Sequence, residues 1–232
     1  SHRLVIEPEP ALRQQQIDAF GNEIIRVEFS GTTRKLRVDS EFELDTLPAT
    51  PLEPLRDVLR RAPEVRHGSN APPHPSVEQF AESLAVQVDR EPVSFLDHLS
   101  RTLFAQFDRH IRPEGNARPA HETLALRSGA CRDLTTLFLE SCRSLGLAAR
   151  FVSGYQALAQ TPDGQRHLHA WAEVFLPSIG WRGWDATHGM RATDGHVALC
   201  AAPTQAATMP IEGSYSFEGS AVNCTLGCSV RI

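Results

Sequence analysis

The chain has 232 residues, of which 41% are hydrophobic and 22% are charged, a composition typical of a globular protein and not of a disordered one. The formal net charge is -5 and Lys and Arg do not cluster, so the sequence offers no basic surface for nucleic acid. No apolar stretch reaches the roughly 18 residues that a membrane span requires, so we expect no membrane association.

Five cysteines are present, and their odd number leaves at least one thiol unpaired. This usage does not resemble the dense disulfide framework of a small secreted domain. It favours a reducing compartment, and we therefore predict a cytoplasmic protein.

The first part of the chain reads as a β-rich domain over residues 1–55. Short runs of β-branched and apolar residues predict strands at residues 4–6, 23–29 and 35–38, with a turn at 18–22. Seven prolines fall between positions 48 and 75. They predict a linker over residues 56–75 that separates this domain from the rest of the chain.

Beyond the linker the apolar spacing becomes that of helices. Ser76 is a plausible N-cap for a first helix, and a second helix is predicted over residues 93–110. A short helix follows at 123–127. A third long helix begins at Cys131 and ends before Gly146, which suits the position just beyond a helix C-terminus.

After residue 149 the apolar spacing changes to a period of two. Strands are predicted at residues 150–156, 167–176, 181–187 and 196–201, and a last strand at 224–230 carries Cys224 and Cys228 on one face. Helices followed by an antiparallel sheet define an α+β domain, which we place at residues 76–232. Cys142 falls on the apolar side of the third helix and is predicted to be a core residue.

Cys131 stands at the predicted start of the third long helix. Free N–H groups and the helix dipole stabilise an anion at such a position, so we expect the thiolate to be favoured there. The thiolate is the form of cysteine that attacks a carbonyl. A buried, unreactive thiol is the alternative interpretation. Asp133 lies about 200° further around the helix and is predicted to serve its first turn.

His169 lies on the polar face of the strand predicted over residues 167–176. The even-numbered positions of this strand are apolar and belong to a core, whereas the odd-numbered face carries two histidines, Trp171 and Glu173. A histidine on that face is either a base that serves the cysteine or an exposed residue without a role in chemistry.

Asp185 lies on the next strand, beyond a turn at residues 177–180. A four-residue loop there leaves Asp185 on the face opposite His169, whereas a five-residue loop or one β-bulge brings it to His169's face. We therefore predict an irregularity in this hairpin. The alternative interpretation of Asp185 is a residue that simply flanks a turn.

Together these three residues form the set that thiol acyl transfer requires. Cys131 is the predicted nucleophile, His169 the base, and Asp185 the group that fixes the imidazole in one tautomer. The backbone N–H of Cys131 supplies one donor for an oxyanion, and the sequence assigns no second donor.

Four motifs in this order resemble those of the bacterial transglutaminase-like superfamily, in particular its cysteine peptidases. They read GACRD at residues 129–133, LGLAARFVSGY at 145–155, HAWAEV at 169–174 and WDATHG at 184–189. The resemblance runs from about residue 76 to the C-terminus and implies a papain-like core with a Cys-His-Asp triad. Residues 4–8 and 18–22 resemble the small β domain that precedes this core in many members, with further strands missing, so we predict a partial domain.

Two departures from the family pattern concern the surroundings of the site. His188 stands where members usually have Asn, and residues 203–206 stand where a Gly-Arg-Asp-Tyr segment is common. The three predicted catalytic residues are unaffected by these differences. The substrate pocket is the part of the site that they alter.

The aromatic residues and histidines near the site have alternative interpretations. We predict that Trp171, Trp184 and Tyr155 contact substrate, although each could instead pack against the sheet. His167 and His169 form a His-x-His pair, with His188 and His196 near in sequence, which could hold a metal ion. No third ligand or carboxylate is placed beside the pair, so we predict neither a metal site nor a cofactor.

The predicted function is thiol-dependent acyl transfer on a protein or peptide substrate. If water resolves the thioester the protein is a cysteine peptidase or amidase, and if an amine does so it is a protein-glutamine transglutaminase. The resemblance favours hydrolysis. A non-catalytic module that binds a peptide or protein on the same fold is the alternative from another functional class.

Overall fold

The structure is a computed structural model. It describes residues 2–46, 72–112, 114–158, 166–177, 179–216 and 230. The backbone separates into two units, Ser1–Leu47 and Pro48–Ile232. Most of the predicted linker at 56–75 and of the predicted tail strand at 224–230 lies outside the described residues. Val230 is described and forms an isolated antiparallel bridge with Arg166.

The N-terminal unit contains two antiparallel strand pairs. Strand β1 (His2–Glu7) pairs with β4 (Arg37–Phe42), and β2 (Leu12–Ile17) pairs with β3 (Glu23–Glu28). Strand β2 was not predicted, because its sequence LRQQQI is polar and fully exposed; its pairing with β3 makes it a strand. The predicted turn at 18–22 joins the two, with the Asp18 carboxylate accepting the N–H groups of Phe20 and Asn22 at 2.7 and 2.9 Å.

In the described part of the second unit, four α-helices precede the large sheet. They are α1 (Pro75–Val86), α2 (Pro92–Gln106), α3 (Ala120–Leu126) and α4 (Cys131–Ser144). Helix α1 is capped by His74 rather than by the predicted Ser76, which lies within the first turn. Helix α2 ends earlier than predicted, because Phe107 adopts an extended backbone.

A five-stranded antiparallel sheet follows the helices. Its strands are β7 (Ala149–Gln156), β8 (His169–Leu176), β9 (Gly180–Asp185), β10 (Met190–Arg191) and β11 (His196–Ala202), in the spatial order β10-β9-β8-β7-β11. Between α2 and α4, two-residue strands β5 (Asp108–Arg109) and β6 (Ser128–Gly129) form a parallel pair. The combination of helices and an antiparallel sheet confirms the α+β class.

The hydrophobic core of this unit lies between the helices and one face of the sheet. Helix α4 contributes its apolar side, including the fully buried Leu137 and Phe138, and the sheet contributes the even-numbered positions of β8, as predicted. Cys142 belongs to this core and is fully buried. Close packing of these side chains fixes α4 against β7 and β8, and so fixes where the helix begins relative to the sheet.

The connection between β8 and β9 differs from its prediction. Leu176 pairs with Gly180 and Ala172 with Trp184, in a ladder with no shift of register. Three residues, 177–179, therefore connect the strands, so the predicted five-residue loop or β-bulge was wrong. This loop is one residue shorter than a four-residue loop. The change moves every side chain of β9 to the opposite face of the sheet, as a bulge would, and so places Asp185 on the same face as His169.

A buried carboxylate fixes the start of α4. Asp133 is fully buried, and its Oδ2 accepts the N–H of Ala130 at 2.9 Å. Its Oδ1 accepts the Arg112 guanidinium at 2.6 Å and the N–H of Arg118 at 2.8 Å. A Cβ at position 129 would lie 2.8 Å from the Asp133 Cβ, which explains the glycine there. Asp133 thus serves the first turn, as predicted, and also ties that turn to the preceding loop.

We expect Asp133→Ala to destabilise the protein by about 3 kcal/mol, because it leaves a guanidinium and two N–H groups without their acceptor. Glu82→Ala is the matched control. Glu82 forms an exposed ion pair with Arg90, and its removal should cost less than about 1 kcal/mol. The free energy of unfolding from urea titrations tests both values, and equal losses in the two variants would contradict the role of Asp133.

Candidate active site

Cys131 is the first residue of helix α4 and is partly exposed. Its N–H group has no partner within the helix, since the first turn of an α-helix lacks acceptors for its own donors. The Arg132 guanidinium lies close enough to interact with the charge of Cys131. Burial and the neighbouring Arg112 lower the pKa of Arg132, while negative charge on Cys131 and Asp133 opposes this shift. The start of helix α4 and Arg132 thus bring positive charge near the sulfur.

His169 is the first residue of β8 and lies between Cys131 and Asp185. Its Nε2 is 2.7 Å from the Asp185 Oδ2, and its side chain is 11% exposed. Because Nε2 is committed to Asp185, Nδ1 is the nitrogen left for the hydrogen bond with Cys131. Burial alone would lower the pKa of His169, but the charge and hydrogen bond of Asp185, and those of Cys131, raise it to about 10.

Asp185 is the last residue of β9 and is fully buried. Its Oδ1 accepts the N–H groups of Thr187 at 2.9 Å and His188 at 3.2 Å. Its Oδ2 lies 2.7 Å from His169 Nε2, 2.7 Å from His188 Nδ1 and 3.0 Å from His196 Nε2. Burial would raise the pKa of Asp185, but the charge of His169 and the hydrogen bonds of the three histidines hold it well below its ordinary value.

The turn after Asp185 explains the sequence motif DATHG. The N–H of His188 donates to the Asp185 backbone carbonyl at 3.3 Å and closes a tight turn. Gly189 follows with φ of +66°, and a Cβ there would lie 2.7 Å from the Phe104 side chain. A glycine is therefore required at this position on both conformational and steric grounds.

The structure brings together the three residues predicted to form the site and adds two that were not predicted for it. His188 and His196 both contact the Asp185 carboxylate, whereas the sequence suggested only a weak metal set for them. His188 stands at the unusual position of the DATHG turn and supplies a side-chain N–H donor. The separation of three residues from Asp185 was a usable signal for His188. Nothing in the sequence indicated that His196 returns to the same carboxylate from another strand.

His169, Asp185 and His188 also lie close enough together to share a metal ion, because each offers one possible ligand atom within 4.8 Å of the others. His167, the other member of the His-x-His pair, does not belong to that group among the described residues. The geometry favours hydrogen bonding over metal binding. Three ring nitrogens surround Asp185 Oδ2 at 2.7 to 3.0 Å, so the oxygen occupies the centre that a bound ion would need.

The predicted substrate contacts have different surroundings. Trp184 is fully buried on the helix-facing side of the sheet and donates its Nε1–H to Asp97 at 2.9 Å, so burial makes it a core residue and not a wall of the cleft. Strand alternation explains this position, because Trp184 and Asp185 point to opposite faces. Trp171 is 2% exposed and packs beneath His169 and His196. Tyr155 is partly buried, and its contact with substrate stays a prediction.

Comparison with known families agrees with this fold and these motifs. A family model described as the transglutaminase-like superfamily matches residues 79–186. A second, described as the bacterial transglutaminase-like N-terminal region, matches residues 1–45. The chain is therefore similar to the transglutaminase-like superfamily over its core and to the N-terminal region of the bacterial proteins over its first unit, which confirms the resemblance seen in its motifs.

Individual relatives extend the similarity over most of the chain. Mb2599c of Mycobacterium bovis and Rv2569c of Mycobacterium tuberculosis, both uncharacterised proteins, are each 27% identical over 236 residues, covering 92% of this chain and 75% of theirs. A solved structure of a candidate cysteine protease from Cytophaga hutchinsonii superposes with a TM-score of 0.58 at 18% identity, covering 89% of this chain and 71% of that one. This likeness shows the fold. Among the described residues, no helix has the length and apolar character to cross a membrane.

Protonation of His169 should stabilise the fold over a definite pH range. Its pKa rises from 6.5 to about 10 on folding, so the native state holds a proton that the unfolded chain releases between these values. This contribution is fully present below about pH 6.5 and is lost as the pH rises through about 10. We expect the difference in free energy of unfolding between the wild type and His169→Phe to narrow across that range, as measured by urea denaturation.

Cys131→Ser is the matched variant for this measurement. In this variant His169 keeps its hydrogen bond with Asp185. Asp185 raises the pKa of His169 more than Cys131 does. Most of the wild-type pH dependence should therefore persist in it. If the difference in free energy of unfolding between the wild type and His169→Phe stays constant from pH 6.5 to 10, His169 is not protonated as proposed.

Proposed function

We propose that the protein is a thiol-dependent acyltransferase acting on peptide or amide bonds, with Cys131 as nucleophile, His169 as acid and base, and Asp185 as the group that orients His169. The position of the His169 ring supports this proposal, since the ring hydrogen-bonds with Cys131 and with Asp185. The raised pKa of His169 favours the imidazolium, which pairs with a thiolate.

In the first half of the reaction, the Cys131 thiolate attacks the carbonyl carbon of an amide. The carbonyl π bond breaks, and its electron pair moves to the oxygen, which becomes an oxyanion. The free N–H of Cys131 at the start of α4 is placed to donate to that oxygen. Collapse of the intermediate breaks the C–N bond while His169 gives its proton to the leaving amine, and a thioester remains.

In the second half, neutral His169 takes a proton from the acceptor as the acceptor attacks the thioester carbonyl. Collapse of this second intermediate expels the Cys131 thiolate, and His169 again carries the proton. If the acceptor is water the product is a carboxylic acid, and if it is a primary amine the product is a new amide. Asp185 keeps its negative charge throughout and stabilises the imidazolium in both halves.

We favour hydrolysis of a protein or peptide substrate over transfer to an amine. The motif resemblance to bacterial cysteine peptidases supports this choice, as does the description of the Cytophaga hutchinsonii neighbour as a candidate cysteine protease. A cytoplasmic location is part of the proposal, and the thiols of Cys131 and Cys142 are free, which is compatible with it.

The alternative is a module that binds a peptide without cleaving it. The burial of Trp184 and Trp171 does not favour this alternative, because neither ring is available as a platform for a bound peptide. The charged geometry around His169 argues against it. The hydrogen bonds that join His169 to both Cys131 and Asp185 form the set that thiol acyl transfer requires and that peptide binding does not.

Selective alkylation of Cys131 tests the proposed nucleophile. We expect iodoacetamide near pH 7 to modify Cys131 first, and His169→Ala to slow that reaction about 100-fold through loss of the imidazolium. Peptide mapping by mass spectrometry gives the rate at each cysteine.

Cys142 and Cys200 are internal controls in the same sample. Cys142 is fully buried, and burial raises the pKa of its thiol, so it should react only on unfolding. Cys200 is partly exposed and hydrogen-bonds with the Thr208 carbonyl. Equal rates at Cys131 and Cys200, or a His169→Ala variant that reacts as fast as the wild type, would contradict the assignment.

The identity of the acceptor is tested by product analysis. With a mixed peptide library and a fluorescent primary amine, we expect new peptide termini that incorporate ¹⁸O from labelled water, and little attachment of the amine. Cys131→Ala should abolish both products. Amine attachment that exceeds cleavage would favour a transglutaminase, and stoichiometric peptide binding without any product in the wild type would favour the binding module.

A further inference from the structure

His196 is more deeply buried than the other two histidines that contact Asp185. It is the first residue of β11, and its side chain is 2% exposed. Its backbone N–H donates to the Thr193 carbonyl at 2.9 Å. The Trp171 ring packs edge-on against the imidazole, with 5.1 Å between ring centroids. By comparison, the His188 side chain is 27% exposed.

The contacts of His196 fix its tautomer and its charge. The backbone N–H of Thr193 lies 3.1 Å from His196 Nδ1. A backbone N–H can only donate, so Nδ1 must accept and carries no proton. The remaining proton is therefore on Nε2, which faces Asp185 Oδ2 at 3.0 Å. His196 is thus a neutral imidazole that donates one hydrogen bond to the carboxylate.

Charge explains why a neutral donor suits this position. The same oxygen, Asp185 Oδ2, receives His169 Nε2 at 2.7 Å. A second imidazolium at His196 would compete for the single negative charge and weaken the hold on the His169 proton. A neutral N–H directs the oxygen without adding a positive charge beside His169.

We propose that His196 is a positioning residue, a neutral Nε2–H donor that orients the Asp185 carboxylate so that its Oδ2 holds His169 against Cys131. The proposal rests on the proposed function of Cys131 and His169. It goes further by assigning a role to a residue on β11, the strand at the opposite side of the sheet order from β9.

The tautomer can be measured on the full chain without any substrate. Long-range ¹H–¹⁵N correlation spectra of protein labelled with ¹⁵N-histidine, with His196 assigned through His196→Gln, report the protonation of each ring nitrogen. We expect His196 to show a protonated Nε2 and an unprotonated Nδ1, as the hydrogen bonds with Thr193 and Asp185 require. A proton on Nδ1 of His196 would overturn the proposal.

A pair of variants tests the effect on the site. His196→Gln keeps an N–H donor near the position of Nε2, whereas His196→Phe keeps a ring of similar shape without a donor. We expect His196→Phe to slow alkylation of Cys131 about tenfold, as loss of roughly one hydrogen bond implies, and His196→Gln to stay within about threefold of the wild type. The high-pH limb of the rate profile should move to lower pH in His196→Phe alone, because a less well oriented Asp185 holds the His169 proton less tightly.

The outcomes separate this proposal from the proposed function. If the wild type shows a selectively reactive Cys131 and the two variants have the same rates and pH profiles, His196 is not a positioning residue and the proposed function stands. If the wild-type Cys131 is no more reactive than Cys200, the proposed function fails, and with it the role assigned to His196. Should His196→Phe not fold, the spectra of the wild type decide the proposal by themselves.

Discussion

The charge of Asp185 is the constraint on which the arrangement of the site depends. A carboxylate with no exposure to water is tolerated only when hydrogen bonds replace its solvation. Five donors do so, from the start of β8, from the turn that follows β9 and from the start of β11. Because three separate segments must meet at two oxygen atoms, the carboxylate fixes the positions of these segments relative to one another. His169 is oriented as one part of this arrangement.

A second buried carboxylate does the corresponding work on the helical side. Asp133 joins the backbone before α4 to Arg112 and to the N–H of Arg118, so the first turn of the helix cannot shift without breaking several bonds. Asp133 therefore positions Cys131, and Asp185 positions His169. The apolar packing between α4 and the sheet sets the distance between these two carboxylates. Independent positioning of the two residues suits a reaction that depends on contact between the Cys131 sulfur and a ring nitrogen of His169.

Much of this could be read from the sequence, and the failures have physical causes. Helix α4, the strands β7 to β9 and the position of Cys131 followed from apolar periodicity, which is a local property. Strand β2 was missed because a polar, exposed segment becomes a strand only through its partner. The face of the sheet on which Asp185 lies depended on a single residue of loop length, and apolar periodicity does not specify loop length. Trp184 was misjudged by proximity in sequence, although alternation already put it on the other face. The contact of His196 is long-range and left no local pattern.

The hydrogen bond between His196 and Asp185 also says something about the shape of the sheet. Strands β9 and β11 are separated in the sheet order by β8 and β7, and three inter-strand spacings amount to about 14 Å in a flat sheet. Side chains from the two strands nevertheless meet at 3.0 Å, so the sheet is strongly curved at this end. Glycine eases the bend, since a Cβ at Gly154 would lie 2.1 Å from the Val197 carbonyl oxygen and 2.6 Å from Trp171. The concave wall so formed shields the ionised groups from water, and electrostatic attraction within it is correspondingly strong.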